Sequence, residues 1–152
     1  MYPIRLITFG RPKLAPIREL EQHYQTLLKA HARLTLLELP EGKGDPARQL
    51  KDEAERIRPH LQAVTCPVLL CAEAPLRDSE AFARWLGTRM DRGAGLAFAV
   101  GSSHGFHPTL KAEVREQLSL SPMTFPHDLS RVLFLEQLYR AFTLLKGTPY
   151  HK

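Results

Sequence analysis

Two apolar runs, Pro67–Ala72 and Gly95–Val100, limit the possible folds more than any other feature of this sequence. A strand with one wet face alternates apolar and polar residues. A strand apolar at nearly every position is buried on both faces, which happens in a parallel sheet covered by helices on each side. Two further strand-like runs, Ile4–Phe9 ending at Gly10 and Leu34–Leu39, add to such a sheet. Helical patterns separate them. Pro16 to Ala32 puts Ile17, Leu20, Tyr24, Leu27 and Leu28 on one face. Asp45-Pro46 places a capping side chain before a proline in the first turn and opens a helix to about Ala63. Asp78-Ser79-Glu80 opens another to about Arg92, His107-Pro108 one to about Leu118, and the last runs from about Leu129 to Lys146 before Gly147 and Pro149. A short run, Ser119–Ser121, precedes that last helix. This alternation predicts an α/β fold with a mainly parallel sheet and helices on both faces. With no repeat or linker, residues 1–152 are expected to form one domain. Ligands of such folds bind at the carboxyl ends of the strands. Here that means the loops after Ala72, Val100 and Ser121.

A formal net charge of +5 favours an anionic partner, with nucleic acid first among the choices. No apolar stretch is long enough to span a bilayer, and Met1–Phe9 lacks the pattern of a secretory signal, so a cytoplasmic location is expected. Cys66 and Cys71 lie five apart in one strand-like run and read as reduced core thiols. The last helix is apolar nearly all round, from Val132 to Leu145. Such a helix must be covered on more than one side, by its own sheet and, we expect, by a second subunit.

Four constellations could carry chemistry. Gly101-Ser102-Ser103-His104-Gly105 follows a strand and precedes a helix, so its backbone can approach a ligand closely. Ser119–His127 combines two prolines with several hydrogen-bonding groups, a stiff stretch suited to the edge of an adenine ring. Glu136 and Arg140 stand one turn apart, where the acid can hold the guanidinium fork toward a base or phosphate. Tyr150 and His151 offer a ring, a hydroxyl and an imidazole if the tail folds back over a site. His104 and His107 have loose metal-ligand spacing but no four-ligand pattern accompanies them, so no metal site is expected. His23, His31 and His60 lie among charges and are expected to face solvent.

Taken together, four segments resemble the ribosomal RNA large subunit methyltransferase H family. They are Phe98–Gly105, Leu118–His127, Leu135–Phe142 and Gly147–Lys152. The likeness covers the whole chain and is most specific in its last third. That family is similar to the wider SPOUT class. The resemblance implies a trefoil knot near the C-terminus, a homodimer, S-adenosylmethionine as methyl donor, and N3 of a pseudouridine in large-subunit rRNA as acceptor. It places the cofactor at Leu70, at Gly101, and along Leu120, Ser121, Pro122, Met123, Thr124 and Phe125. It gives the acceptor base to Arg140, with Tyr150 and His151 closing over it. His151 is the first candidate for proton transfer and His127 the second.

Two departures stand out. The family usually has paired glycines where this chain reads Gly101-Ser102, and a glycine-lysine pair after the third strand where it reads Ala74-Pro75-Leu76-Arg77. Two other readings remain at this point: a SPOUT enzyme acting on another RNA, and a non-catalytic ribosome-binding module. A protein with so little surface is expected to recognise a structured target, such as an assembled ribosome, by shape and phosphate contacts.

Overall fold

A computed structural model describes residues 1–152. Five strands, β1 (Tyr2–Phe9), β2 (Ala32–Leu39), β3 (Cys66–Leu70), β4 (Leu96–Val100) and β5 (Glu116–Leu118), form one sheet in the order β2-β1-β4-β3-β5. Every neighbouring pair is parallel. Five helices connect and cover them: α1 (Ala15–Leu28), α2 (Pro46–Gln62), α3 (Ser79–Asp91), α4 (Pro108–Glu113) and α5 (His127–Lys146).

The strands sort their side chains onto two cores by simple alternation. Ile4 and Leu6, Val68, and Leu96, Phe98 and Val100 face α1, α3 and α5. Ile7 and Phe9, Leu69, and Ala97 and Ala99 face α2 and α4. The connections β1→β2 and β3→β4 step one way along the sheet over the first face. Those from β2→β3 and β4→β5 step the other way over the second. That is the arrangement uniformly handed crossovers require.

Local signals set the helix ends. Asp45 and Asp78 accept hydrogen bonds from the Arg48 and Ala81 N–H groups at 3.0 and 2.7 Å, satisfying donors that the first turn leaves free. Gly147 ends α5 in the left-handed conformation, φ 68°, as expected of a glycine at that position.

Two expectations are corrected. The helix from Pro108 does not reach Leu118. It stops at Glu113, and Glu116–Leu118 become β5 at the sheet edge, with Val68 opposite Glu116 and Leu70 opposite Leu118. Glu, Arg and Gln favour helix locally, but pairing with β3 overrides a preference of a few tenths of a kcal/mol per residue, on the order of the propensity scale itself. His31 does not face solvent freely but is half-buried. It stacks on Phe142 at 5.6 Å and meets Tyr139 at 5.5 Å, and burial lowers its pKa, with Lys146 adding to the effect. As for α5, its apolar circumference is explained largely within the chain. It packs between α1 and α3 above the sheet, which covers flanks that sequence reasoning gave to a second subunit. Leu129 and Leu145 remain exposed on it.

Candidate active site

Beyond β5 the chain turns back across the carboxyl ends of β3 and β4 before starting α5. Its departure is fixed by a bond from the Cys71 N–H to the Leu118 carbonyl and another from the Ser119 hydroxyl to the Ala72 carbonyl. Its arrival is fixed beside β1, where Asp128 accepts the Lys13 N–H. Between these ends lies a cleft of about 720 Å³. Leu70 and Gly101 form its floor at the strand ends, and Leu120, Ser121, Met123, Thr124 and Phe125 form one wall. Pro122, expected with them, does not line it. His127 does, at the start of α5, as does His104 in the loop after β4. His107 instead caps α4, its Nδ1 accepting the Thr109 N–H at 3.1 Å.

The wall has the right chemistry for a heterocycle edge. No backbone N–H or C=O of Leu120–Phe125 takes part in a backbone-to-backbone hydrogen bond. Only the Ser121 carbonyl, which accepts the Ser119 hydroxyl, and the Met123 N–H, which donates to the Ser121 hydroxyl, are occupied by side chains. The other backbone donors and acceptors are therefore not tied up within the chain and are free for a ligand. The edge of an adenine ring could pair with them, so the residues present fit an adenosyl cofactor. Ser102 is tolerated after Gly101 because no residue other than glycine has a positive φ. Its hydroxyl is buried without a partner. The Ala74–Arg77 departure lies outside the larger cleft. This loop instead extends the sheet, with the Ser119 N–H donating to the Pro75 carbonyl at 3.3 Å.

Arg140, Tyr150 and His151 gather at a second place on the same face, around α5. Arg140 donates twice to Glu136, at 3.0 and 2.5 Å, and its guanidinium lies 4.8 Å over the Tyr150 ring. Tyr150 donates its hydroxyl to the same carboxylate at 3.1 Å and meets Tyr139 edge-on at 4.9 Å. The tail is therefore docked rather than free. Arg140 also approaches His151 Nδ1 at 3.1 Å. A guanidinium only donates, so Nδ1 accepts and the neutral ring carries its hydrogen on Nε2, 3.8 Å from Glu80. None of these three residues lines the cleft, whereas His127 does, 3.2 Å from Asp128 and 3.7 Å from Glu41. The two imidazoles thus occupy different places within one chain.

Burial, reinforced by Glu136, pushes the Tyr150 hydroxyl up to about 12, so at neutral pH it is a hydrogen-bond donor and no base. An acid whose folded value lies above its free value favours folding while protonated. Tyr150 thus helps hold the tail below about pH 10, its unperturbed value, and that help is lost as pH rises toward 12. Following phenolate absorbance on raising the pH should show late-titrating tyrosines, since burial also raises Tyr2, and Tyr150→Phe should remove one of them. A late-titrating signal left unchanged by Tyr150→Phe would mean the tail is undocked.

Sequence reasoning missed Arg131. It is 1% exposed, with Nε 2.5 Å from Glu21, Nη2 2.9 Å from Glu38 and Nη1 3.2 Å from the Gly10 carbonyl. It locks the first turns of α5, which carry His127 and Ser130 of the cleft, to β1, β2 and α1. An arginine inside an apolar helix pattern was the available signal.

Comparison with known proteins places these features in context. The family model described as "Predicted SPOUT methyltransferase" matches residues 2–151. The ribosomal RNA large subunit methyltransferase H of Alkalilimnicola ehrlichii is 40% identical, covering 98% of each chain. That of Alcanivorax borkumensis is 38% identical, covering 97% of this chain and 98% of its own. Among solved structures, a putative methylase family protein from Neisseria gonorrhoeae shares the fold, with TM-score 0.56 at 12% identity over 97% of this chain and 95% of that one.

Proposed function

This chain belongs to the SPOUT methyltransferase family, and we propose that it methylates N3 of a pseudouridine in large-subunit ribosomal RNA, using S-adenosylmethionine. The observation that carries this reading is the cleft itself. It unites Leu70, Gly101 and the Leu120–Phe125 wall at the strand ends, the site where an open α/β sheet binds ligands. The full-length similarity to large-subunit methyltransferases points to the rRNA target, and the net charge of +5 suits it. The chain would carry the C-terminal knot of its class.

When bound, the cofactor supplies a methyl group on a sulfonium, open to in-line attack. The chain's task is to align the acceptor and exclude water. The Leu120–Phe125 backbone would hold the adenine edge, with Leu70 and Gly101 beneath. Arg140, fixed by Glu136, would orient the acceptor base and stabilise negative charge as N3 loses its proton. Tyr150 and His151 would close over it. His151 is the first candidate to take the proton, but its Nδ1 is engaged by Arg140. His127, in the cleft, is the second.

We read the functional unit as a homodimer. Leu14, 63% exposed, and Leu129, 36%, flank the hydrogen-bonded Lys13 and Asp128, while Met123 is 72% exposed at the cleft. They leave apolar surface beside the site, where a second copy would cover it. No helix is long and apolar enough to cross a membrane.

Gly101→Ala tests the floor of the cleft. The added Cβ would sit 2.7 Å from the Gly105 carbonyl oxygen and 3.0 Å from its Cα, both backbone atoms that cannot swing aside. Overpacking of this kind costs about 1–3 kcal/mol. Calorimetry should show affinity for S-adenosylmethionine reduced about tenfold or more, equal to about 1.4 kcal/mol. Unchanged affinity would remove Gly101 from the cofactor site.

The overall reading is tested with labelled S-adenosylmethionine and ribosomes from cells lacking this gene, mapping any methyl group by mass spectrometry. Label on N3 of a large-subunit pseudouridine is expected. Label on another RNA would redirect the enzyme to a different target. Absence of both transfer and cofactor binding would leave a ribosome-binding module.

A further inference from the structure

None of the 16 acidic residues falls within 22–37 or 137–152. These stretches are distant in the chain and packed together in the fold. The first holds the end of α1 and most of β2, and the second holds the end of α5 and the tail. His31 stacks on Phe142 and meets Tyr139 edge-on, and Lys146 donates to the Ala30 carbonyl at 3.5 Å. Together they build an acid-free corner where β2 begins, at the opposite end of the sheet from the cofactor cleft.

Three cations stand on this corner. Lys29, Arg33 and Lys146 are all exposed, and none takes part in an ion pair. Lys29 and Lys146 stand at the ends of α1 and α5. Leu34 and Leu36 of β2 pack with those helices, so alternation turns Arg33 to the other side of the strand. The cations thus flank the corner on both sides. Helix C-termini favour positive charge, which accounts for the two lysines. It does not account for Arg33, which lies in a strand, or for the absence of every counter-charge. The positive field is felt locally, since Lys146 adds to the lowering of the His31 pKa by burial.

We infer that the Lys29–Arg33–Lys146 corner binds the phosphate backbone of the rRNA beside the modified nucleotide. The inference rests on the rRNA target proposed above. A nucleic-acid strand carries a charge about every 3.4 Å of helix axis, a density that suits several unpaired cations on one small corner. The corner is also joined to the Arg140 cluster. Tyr139 meets His31 on one side and Tyr150 on the other, and Tyr150 lies under Arg140. Along α5 the rise from Arg140 to Lys146 is about 9 Å. A strand whose base lies at Arg140 therefore brings neighbouring phosphates within reach of the corner. Phosphate contacts position a nucleic acid without reading its sequence, so the corner supplies affinity and leaves the choice of base to the Arg140 cluster. Leu14 and Leu129, assigned above to a second copy, lie at the other ends of α1 and α5 and leave the corner free.

The test combines Lys29→Gln, Arg33→Gln and Lys146→Gln in one variant. A control variant loses the same charge from scattered exposed cations on α2 and α3, with Arg48→Gln, Lys51→Gln and Arg84→Gln. Each is first shown to melt cooperatively, and Arg33→Gln alone carries the test if the corner variant does not. Two readouts are taken: the Kd for labelled ribosomes at several salt concentrations, and the Kd for S-adenosylhomocysteine by calorimetry. The corner variant should bind ribosomes about tenfold or more weakly, and its salt slope should fall by about 2–3, since each phosphate contact contributes about 0.7–0.9. Arg33→Gln alone should lower the slope by about 1. Binding of S-adenosylhomocysteine should stay within about threefold throughout, as should ribosome binding by the control. Unchanged ribosome affinity in the corner variant would overturn the inference. So would an equal loss in the control, which would trace affinity to net charge, or a loss with the slope unchanged, which would assign the corner to a protein surface. Wild type that binds S-adenosylhomocysteine but no ribosomes would sink the rRNA target and this inference with it. Wild type that binds ribosomes through the corner but no S-adenosylhomocysteine would sink the methyltransferase reading alone.

Discussion

Arg131→Ala should destabilise the protein by about 3–5 kcal/mol, the usual cost of leaving one member of a buried ion pair alone. At about 2–4 °C per kcal/mol for a chain of this size, the melting temperature should fall by about 10 °C. The reason lies in what remains. Glu21 is 6% exposed, and burial raises its pKa even with Arg131 beside it, so Arg131 is its main compensation. Glu38 is better placed, since it is 25% exposed and Arg11 stands 3.6 Å away. Pairing Arg131→Met with Glu21→Leu removes both buried charges and should recover most of the loss, because apolar residues of similar volume replace a buried pair at little net cost. Thermal melts of the three proteins decide this. A single variant costing under about 1 kcal/mol would show that Arg131 is solvated in solution, within the range of surface pairs. Because α5 carries His127 and Ser130 into the cleft, cofactor affinity should fall with stability in Arg131→Ala and return in the double variant.

What the sequence made legible follows from periodicity. Pro67–Ala72 and Gly95–Val100 could only be strands buried on both faces, and β3 and β4 are, with β1, the inner strands that join the two cores. The sheet type alone pointed to the carboxyl ends of the strands as the place for a site, and a cleft lies there. β5 was not legible, because three residues reading Glu-Gln-Leu carry no strand pattern and become a strand only by pairing with β3. Arg131 was hidden for a related reason. A buried charge is defined by partners from distant segments, here Glu21 and Glu38, and no local pattern announces them. An all-round apolar helix says how many sides are covered but not by what, so the share of α5 covered within the chain was not legible. Here α1 and α3 take the flanks.

Arg140→Ala should lower methyl transfer by about 10²–10³-fold, the cost of removing one preorganised donor from a developing anion, while the Kd for S-adenosylmethionine stays the same, because Arg140 does not line the cofactor cleft. Arg140→Lys should rescue little. Its ammonium keeps the charge but lacks the planar fork with which Arg140 contacts Glu136 and His151 while lying over Tyr150. The same loss could arise indirectly, since Arg140 also holds the tail. Deleting Thr148–Lys152 separates the two routes. If Arg140 works only by docking Tyr150 and His151, Arg140→Ala costs nothing further in the shortened chain, since residues acting as one unit are not additive. If its guanidinium acts on the base, a further loss of about tenfold or more remains, equal to about 1.4 kcal/mol. We expect the second result. Arg140 has five N–H donors, and two bonds to Glu136 with one to His151 leave donors for a substrate. Single-turnover rates for the four proteins, with cofactor Kd measured in parallel, give the answer. Full activity in Arg140→Ala would remove it from the reaction.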